Sequence, residues 1–306
     1  MRIRRFTATT QSHLRRTTTH NSPEHKTKKN MKSTMRPLLA IALALTASLP
    51  AFAADAKRVI VCTATKGFRH SSIPLAEKCI ERLAEQSKAY TVVDWVRQPE
   101  KADMDKLSPA NLIAQKIDCV IFANTTGDLP LPDREGFIKW IEDGHAFCAM
   151  HSGSDTFHGF PGYNEMLQGE FDGHGGQPPA DMTAGDTAHP ANAGLGATWD
   201  IASEEMYRFK NQDRTKIRAL WYLRHHPEDK TKAGFYAVSW CRMAGKGHVF
   251  YTSLGHREDL WDDTAAAGER KNSELMSKQY QAHILGGIKW SLGLAPGSAI
   301  PNPEAK

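Results

Sequence analysis

Four histidines stand where a chain can present a side chain to a cleft: His70, His151, His174 and His256. Each follows a strand-like run or sits in a glycine-containing loop, the setting in which a rigid scaffold offers functional groups. Neutral imidazole is the commonest transition-metal ligand and titrates near neutral pH. Three or four such rings around one point, with one position left open, would make a catalytic site for a divalent metal such as zinc or manganese. Spread apart, the same rings would be separate cleft or surface histidines. His158, His189, His225 and His226 have weaker contexts and read as surface or turn residues.

Other groups offer other chemistry. In Phe147-Cys148-Ala149-Met150-His151-Ser152-Gly153 a strand turns sharply, but G-x-S-x-G is absent, so a nucleophilic Ser152 is a minor alternative. Cys148 lies inside the strand, where a thiol stays protonated and inert. Carboxylates gather at Asp155, Glu170, Asp172, Glu204 and Glu205, and a pair across a sugar can act as acid and base. Glu204 reads as a solvated or capping carboxylate. Glu205-Met206-Tyr207 alternates, which puts Glu205 and Tyr207 on one face. Phe68, Phe157, Phe171, Tyr207 and Trp240 suit the C–H faces of a sugar, and equally an ordinary core.

The elements that must position these groups alternate. Arg58–Ala64 reads as a buried strand, followed by the loop Thr65–His70 and a helix from Ser71 or Ser72 to about Lys88 with Pro74 in its first turn. Strands follow at Tyr90–Val96, Ile117–Ala123 and His145–Met150, with a helix from Pro132 to Ile141 ended at Gly144. Such alternation implies βαβ units and a parallel sheet, with ligand groups in the loops after Ala64, Ala123 and Met150. Beyond Glu170 the pattern changes. A Gly/Pro-rich loop (Gly173–Pro179) precedes Ala180–Thr187 and strand-like runs at Trp199–Ile201, Ile217–Leu223, Phe235–Trp240 and His248–Ser253, before a closing helix at Ser273–Leu292. Trp221–Leu223 reads as an apolar surface strand able to pair with another chain.

The N-terminal stretch is set apart by composition. Residues 1–30 are polar and basic, unable to bury a core, and read as a disordered or mis-assigned extension ahead of a true start at Met31. Residues 31–53 have the basic start, short apolar core and small-x-small end of a cleavable signal peptide cut near Ala53. The apolar run is too short to span a bilayer. A periplasmic or secreted protein is therefore expected, with no stable membrane span after cleavage. Residues 1–53 carry ten Lys/Arg and one acid, so removing them takes the net charge from +5 to −4. A weakly acidic domain without a basic stripe is a poor nucleic-acid binder. Five cysteines remain, in no zinc or C-x-x-C spacing, and read mostly as buried thiols with room for one disulfide.

Several segments in order resemble the ThuA-like (trehalose-utilisation) family: Gly67-Phe68-Arg69-His70, Met150-His151-Ser152-Gly153-Ser154-Asp155, Gly169-Glu170-Phe171-Asp172-Gly173-His174, Glu205-Met206-Tyr207, Gly247–His256 and Gly286-Gly287-Ile288-Lys289-Trp290. The resemblance spans nearly all of residues 57–295, leaving 296–306 as a tail. It implies an α/β, flavodoxin-like three-layer sandwich of the class I glutamine amidotransferase type, without the amidotransferase cysteine and with antiparallel additions in the second half. Departures are small: Gly153 where Ala is more usual, and Ser203-Glu204-Glu205 where an acidic pair is expected. The family association with disaccharide catabolism and 3-keto sugars leads to a glycoside hydrolase or lyase acting on glucosides or their 3-keto derivatives. The expected roles are His151, Asp155 and Glu205 in catalysis, Phe68, Arg69, Ser152 and Tyr207 on the sugar, and His70, His151, His174 and His256 on a divalent metal. No nucleotide cofactor is expected. A non-catalytic carbohydrate-binding protein is the alternative.

Overall fold

The computed structural model describes residues 56–264 and 269–304. The N-terminal extension and the signal segment lie outside them.

The first half alternates as its pattern requires: β1 (Lys57–Cys62), α1 (Ile73–Ser87), β2 (Tyr90–Val96), α2 (Lys101–Met104), α3 (Pro109–Ala114), β3 (Cys119–Ala123), α4 (Arg134–Glu142) and β4 (Ala146–Met150). The second half brings α5 (Pro161–Leu167), β5 (Glu170–Gly173), β6 (Ala180–Ala184), β7 (Thr198–Ile201), β8 (Arg208–Lys210), β9 (Arg218–His226), β10 (Asp229–Ala244), β11 (Gly247–Thr252), α6 (Glu258–Trp261) and α7 (Glu274–Ser291). Nine strands form one sheet in the order β2-β1-β3-β4-β11-β10-β9-β6-β7, and β5 with β8 makes a separate antiparallel pair. The run β2-β1-β3-β4-β11 is parallel. From β11 onward every pairing is antiparallel. The parallel order is that of a flavodoxin-like fold, and the antiparallel additions fall in the second half.

The parallel strands are apolar on both faces because both are covered. In β1, Val59 and Val61 face the core under α1 and α7, which adds Ile80, Tyr280, Ile284 and Ile288. Ile60 and Cys62 face the opposite core, which holds Leu112 of α3, Phe137 and Ile141 of α4 and Tyr163 of α5. This is the three-layer arrangement. Trp221, Tyr222 and Leu223 lie inside the sheet between β10 and β6, which corrects their reading as a surface strand. All five cysteines are free and buried, so the disulfide that composition left room for is not formed. Burial pushes the Cys62 and Cys79 thiols up to about 12, which keeps them inert.

Two details fix the layers. Residues past 296 pack back on β9: the Ala219 N–H donates to Asn302 Oδ1 at 2.7 Å, and Asn302 Nδ2 donates to Gly185 O at 2.9 Å. Helix α7 meets the turn at Pro190–Asn192 backbone to backbone through Gly286, where an added Cβ would stand 2.2 Å from Pro190 O. Because a backbone oxygen cannot swing aside, Gly286→Ala should cost about 1–3 kcal/mol or more. A lowered urea midpoint would register it, and an unchanged midpoint would contradict this packing.

Candidate metal centre

The chain reverses around β1, with β2 on one side and β3 on the other, so the loops after β1, β3, β4 and β11 share one crevice at the strand ends. The loop after β1 is braced by a bridge between Thr65 and Thr126 and by Thr126 Oγ1 donating to Phe68 O at 2.8 Å. Asn124, at the end of β3, donates from Nδ2 to Ser72 Oγ at 2.9 Å and to Gly255 O at 3.0 Å. Ser72 therefore ties loops together instead of capping α1 with its side chain.

The sharpest turn follows β4. His151 has φ of 51°, a conformation that costs a non-glycine residue energy and marks functional positions. Its carbonyl accepts the Tyr251 hydroxyl at 2.8 Å. Gly153 suits the turn, since a methyl there would stand 2.8 Å from Ala149 Cβ. The elbow residue is thus a histidine, with Ser152 one place beyond it. Gly255 (φ 130°) lets the loop after β11 pass close to Tyr280, Trp261 and His151 before it delivers His256.

His70, His151, Glu205 and His256 converge, each offering a ligand atom within 4.8 Å of the others. His151 Nε2 lies 3.1 Å from His70 Nε2 and 3.6 Å from Glu205 Oε2. His256 Nδ1 lies 3.2 Å from the same Glu205 oxygen. Ligand atoms set tetrahedrally about zinc at 2.0–2.1 Å are roughly 3.3 Å apart, so these spacings fit a shared cation. Two further observations agree. His151 Nδ1–H donates to Ser253 O at 2.8 Å, which fixes the tautomer and turns the Nε2 lone pair inward. His256 Nδ1 is buried without a hydrogen-bond partner although a carboxylate oxygen lies beside it.

Electrostatics divide the rings. Burial, with the charge of His256 adding to it, brings His70 down to about 4. Complete burial, with His70 and His256 nearby, holds His151 well below the usual histidine range. Both are thereby kept in the neutral, ligating form. Burial also pulls on His256, but Glu205, Glu204 and Glu258 outweigh it and raise that ring.

The other expected residues take varied places. Tyr207 Oη lies 2.8 Å from His151 Nε2, and burial keeps its hydroxyl protonated. Ser152 Oγ is 3.3 Å from His70 Nδ1, where it orients that ring. Phe68 is 66% exposed and sets its ring edge-on to His70 at 4.8 Å. Arg69 turns back to Thr63 O at 3.3 Å. His174 stands outside the group of four, with Nδ1 3.5 Å from Glu205 Oε1 and 2.7 Å from Gly175 O. Asp155 is held by His158, whose other ring nitrogen lies 2.8 Å from Glu170. His158 is therefore an imidazole between two carboxylates, not a simple surface ring, and they raise its pKa against the pull of burial. Glu204, expected in solvent, is completely buried.

The ThuA family, described as trehalose utilisation, matches residues 58–291. The chain belongs to the ThuA family. Solved structures agree on the fold. A ThuA-like protein from Parabacteroides merdae ATCC 43184 is 18% identical with a TM-score of 0.60, over 82% of this chain and 96% of that one. A ThuA-like protein from Bacteroides uniformis ATCC 8492 is 17% identical with a TM-score of 0.59, over 84% of this chain and all of that one. No curated protein matches the sequence. Among the described residues, no helix of this ThuA-family chain is long and apolar enough to cross a membrane.

Proposed function

We propose that this ThuA-family protein is an exported, metal-dependent enzyme of carbohydrate breakdown that cleaves glucosides or their 3-keto derivatives. The observation that carries the reading is the convergence of His70, His151, Glu205 and His256 beside an exposed aromatic ring. A divalent cation held there, zinc or manganese, would supply Lewis-acid polarisation of a substrate oxygen. With two neutral imidazoles and the Glu205 carboxylate facing inward, the donor set suits such an ion.

The chain's own residues would do the rest. Phe68 stacks on the C–H face of the sugar ring at the mouth. Tyr207, protonated and beside His151, donates a hydrogen bond to a sugar oxygen. In a 3-keto glucoside the C2–H bond is acidified by the neighbouring ketone. Asp155, oriented by its contact with His158, would take that proton. The C–H electron pair becomes the C1–C2 double bond, the C1–O bond breaks, and the departing oxygen collects a proton, with His174 as its donor.

Turnover of a 3-keto glucoside, lost on chelation and restored by zinc or manganese, is the expected result. A sugar that binds and is never consumed would instead mark a carbohydrate-binding protein. The contact between Ser152 and His70 also permits a serine hydrolase. Ser152→Ala should cost no more than the roughly 10–100-fold typical of an outer-shell partner. A loss of about 10⁴-fold or more would assign Ser152 as nucleophile instead.

A further inference from the structure

Glu204 shares no role in the steps above, yet it is the most enclosed carboxylate near the centre, with no exposure to solvent. Its Oε1 accepts the backbone N–H groups of Glu205 at 2.9 Å and His256 at 3.1 Å. Its Oε2 accepts those of Gly255 at 3.4 Å and Arg257 at 3.3 Å. Three consecutive amides thus close on one carboxylate, an anion-binding nest whose anion is supplied by the chain itself. Among the described residues, no Lys or Arg side chain hydrogen-bonds or ion-pairs with Glu204.

A buried carboxylate is costly to desolvate, and four amide donors offset part of that cost. The arrangement does something water could not. It joins two segments some fifty positions apart, one carrying Glu205 and the other His256. Those two residues meet across the two segments, with His256 Nδ1 3.2 Å from Glu205 Oε2. The amides gathered by Glu204 tie the two segments together beside that contact and so fix its geometry.

We infer that Glu204 is a positioning residue that fixes Glu205 against His256 and thereby sets the metal affinity of the centre. The inference rests on the metal reading. Outer-shell partners of this kind are worth about 10–100-fold in affinity. Glu204→Gln keeps the shape but replaces one acceptor oxygen with an NH₂ group that faces backbone donors.

The test is Co²⁺ titration followed by visible absorption on the full exported chain. Wild type should bind one Co²⁺ with a tetrahedral-type spectrum, and Glu204→Gln should bind it about 10–100-fold more weakly with an altered band. Asp186→Asn, which removes a remote, partly buried ion pair with Arg218, should lower stability without moving the spectrum. Equal affinity and spectrum in Glu204→Gln overturn the inference, as does an equal spectral change in Asp186→Asn. Hydrogen exchange on metal-free wild type covers the case in which the variant does not fold. Slow exchange of the Gly255, His256 and Arg257 amides supports the clamp, and unprotected exchange overturns it. Wild type that takes up no Co²⁺ overturns the metal reading itself, a different failure from a tight-binding variant.

Discussion

Replacing His151 with asparagine should weaken metal binding roughly 10²–10³-fold while leaving the fold in place. Asparagine tolerates the left-handed backbone that this elbow imposes, so the turn itself should survive. Its short side chain cannot reach the point that His70, Glu205 and His256 share. A four-ligand zinc site is worth about 10–16 kcal/mol, so one ligand corresponds to about 3 kcal/mol, or roughly 10²–10³-fold in affinity. Ser253 O would lose the partner it has at 2.8 Å, adding about 1–3 kcal/mol of destabilisation. Competition titration against a chromophoric chelator measures the first effect and urea unfolding of the metal-free protein the second. Wild-type affinity in His151→Asn would mean that the ring is not a ligand.

Stability should also fall steeply in mild acid, for a reason remote from the centre. The turn at Pro190–Asn192 is gripped by two buried histidines. His189 Nδ1 accepts the Ala191 N–H at 3.2 Å, and His283 Nδ1–H donates to Ala191 O at 2.8 Å. Burial brings His189 down to about 4 and His283 to about 3, from an ordinary value of 6.5. Between pH 6.5 and 4 the unfolded chain therefore binds protons at these positions that the folded chain refuses. The stability they contribute is present above pH 6.5 and is lost as pH falls toward the folded values. Each ring adds a slope of up to about 1.4 kcal/mol per pH unit. Urea midpoints of the metal-free protein at pH 7.5, 6 and 5 should fall in sequence, and His283→Gln should flatten the decline. A midpoint independent of pH over this range would contradict the burial argument.

These elements were not equally legible in the sequence. The parallel core was, because Val59–Cys62 and Cys119–Ala123 are apolar at every position, as strands covered on both faces must be. Three of the four histidines singled out converge because each follows a strand whose end the topology carries to the same crevice. His174 was counted with them on the strength of its glycine-rich loop, yet that loop places it beside Glu205 and outside the group of four. Glu205 reads as catalytic from sequence, and the structure groups its carboxylate with His70, His151 and His256 in a set that could hold a metal ion.

Glu204 was illegible for a physical reason. Two adjacent glutamates in a loop look solvated, and the amides that enclose the first come from a loop fifty residues away. His158 was passed over similarly, since its partners Asp155 and Glu170 lie on different elements. The short helices α2 and α3 and the pair β5–β8 span too few residues to establish a period. Strand β10 runs well past Phe235–Trp240, and its register with β9 shifts repeatedly, which blurs the alternation that would have marked its length.

The central claim is that three imidazoles and one carboxylate surround a single cation. X-ray absorption at the zinc and manganese edges of the purified chain addresses it most directly. The account predicts one ion per chain with nitrogen and oxygen neighbours at about 2.0–2.2 Å, an imidazole scattering pattern, and loss of that pattern in His151→Asn. A chain that holds no ion, or one whose metal environment is the same in His151→Asn, would contradict it.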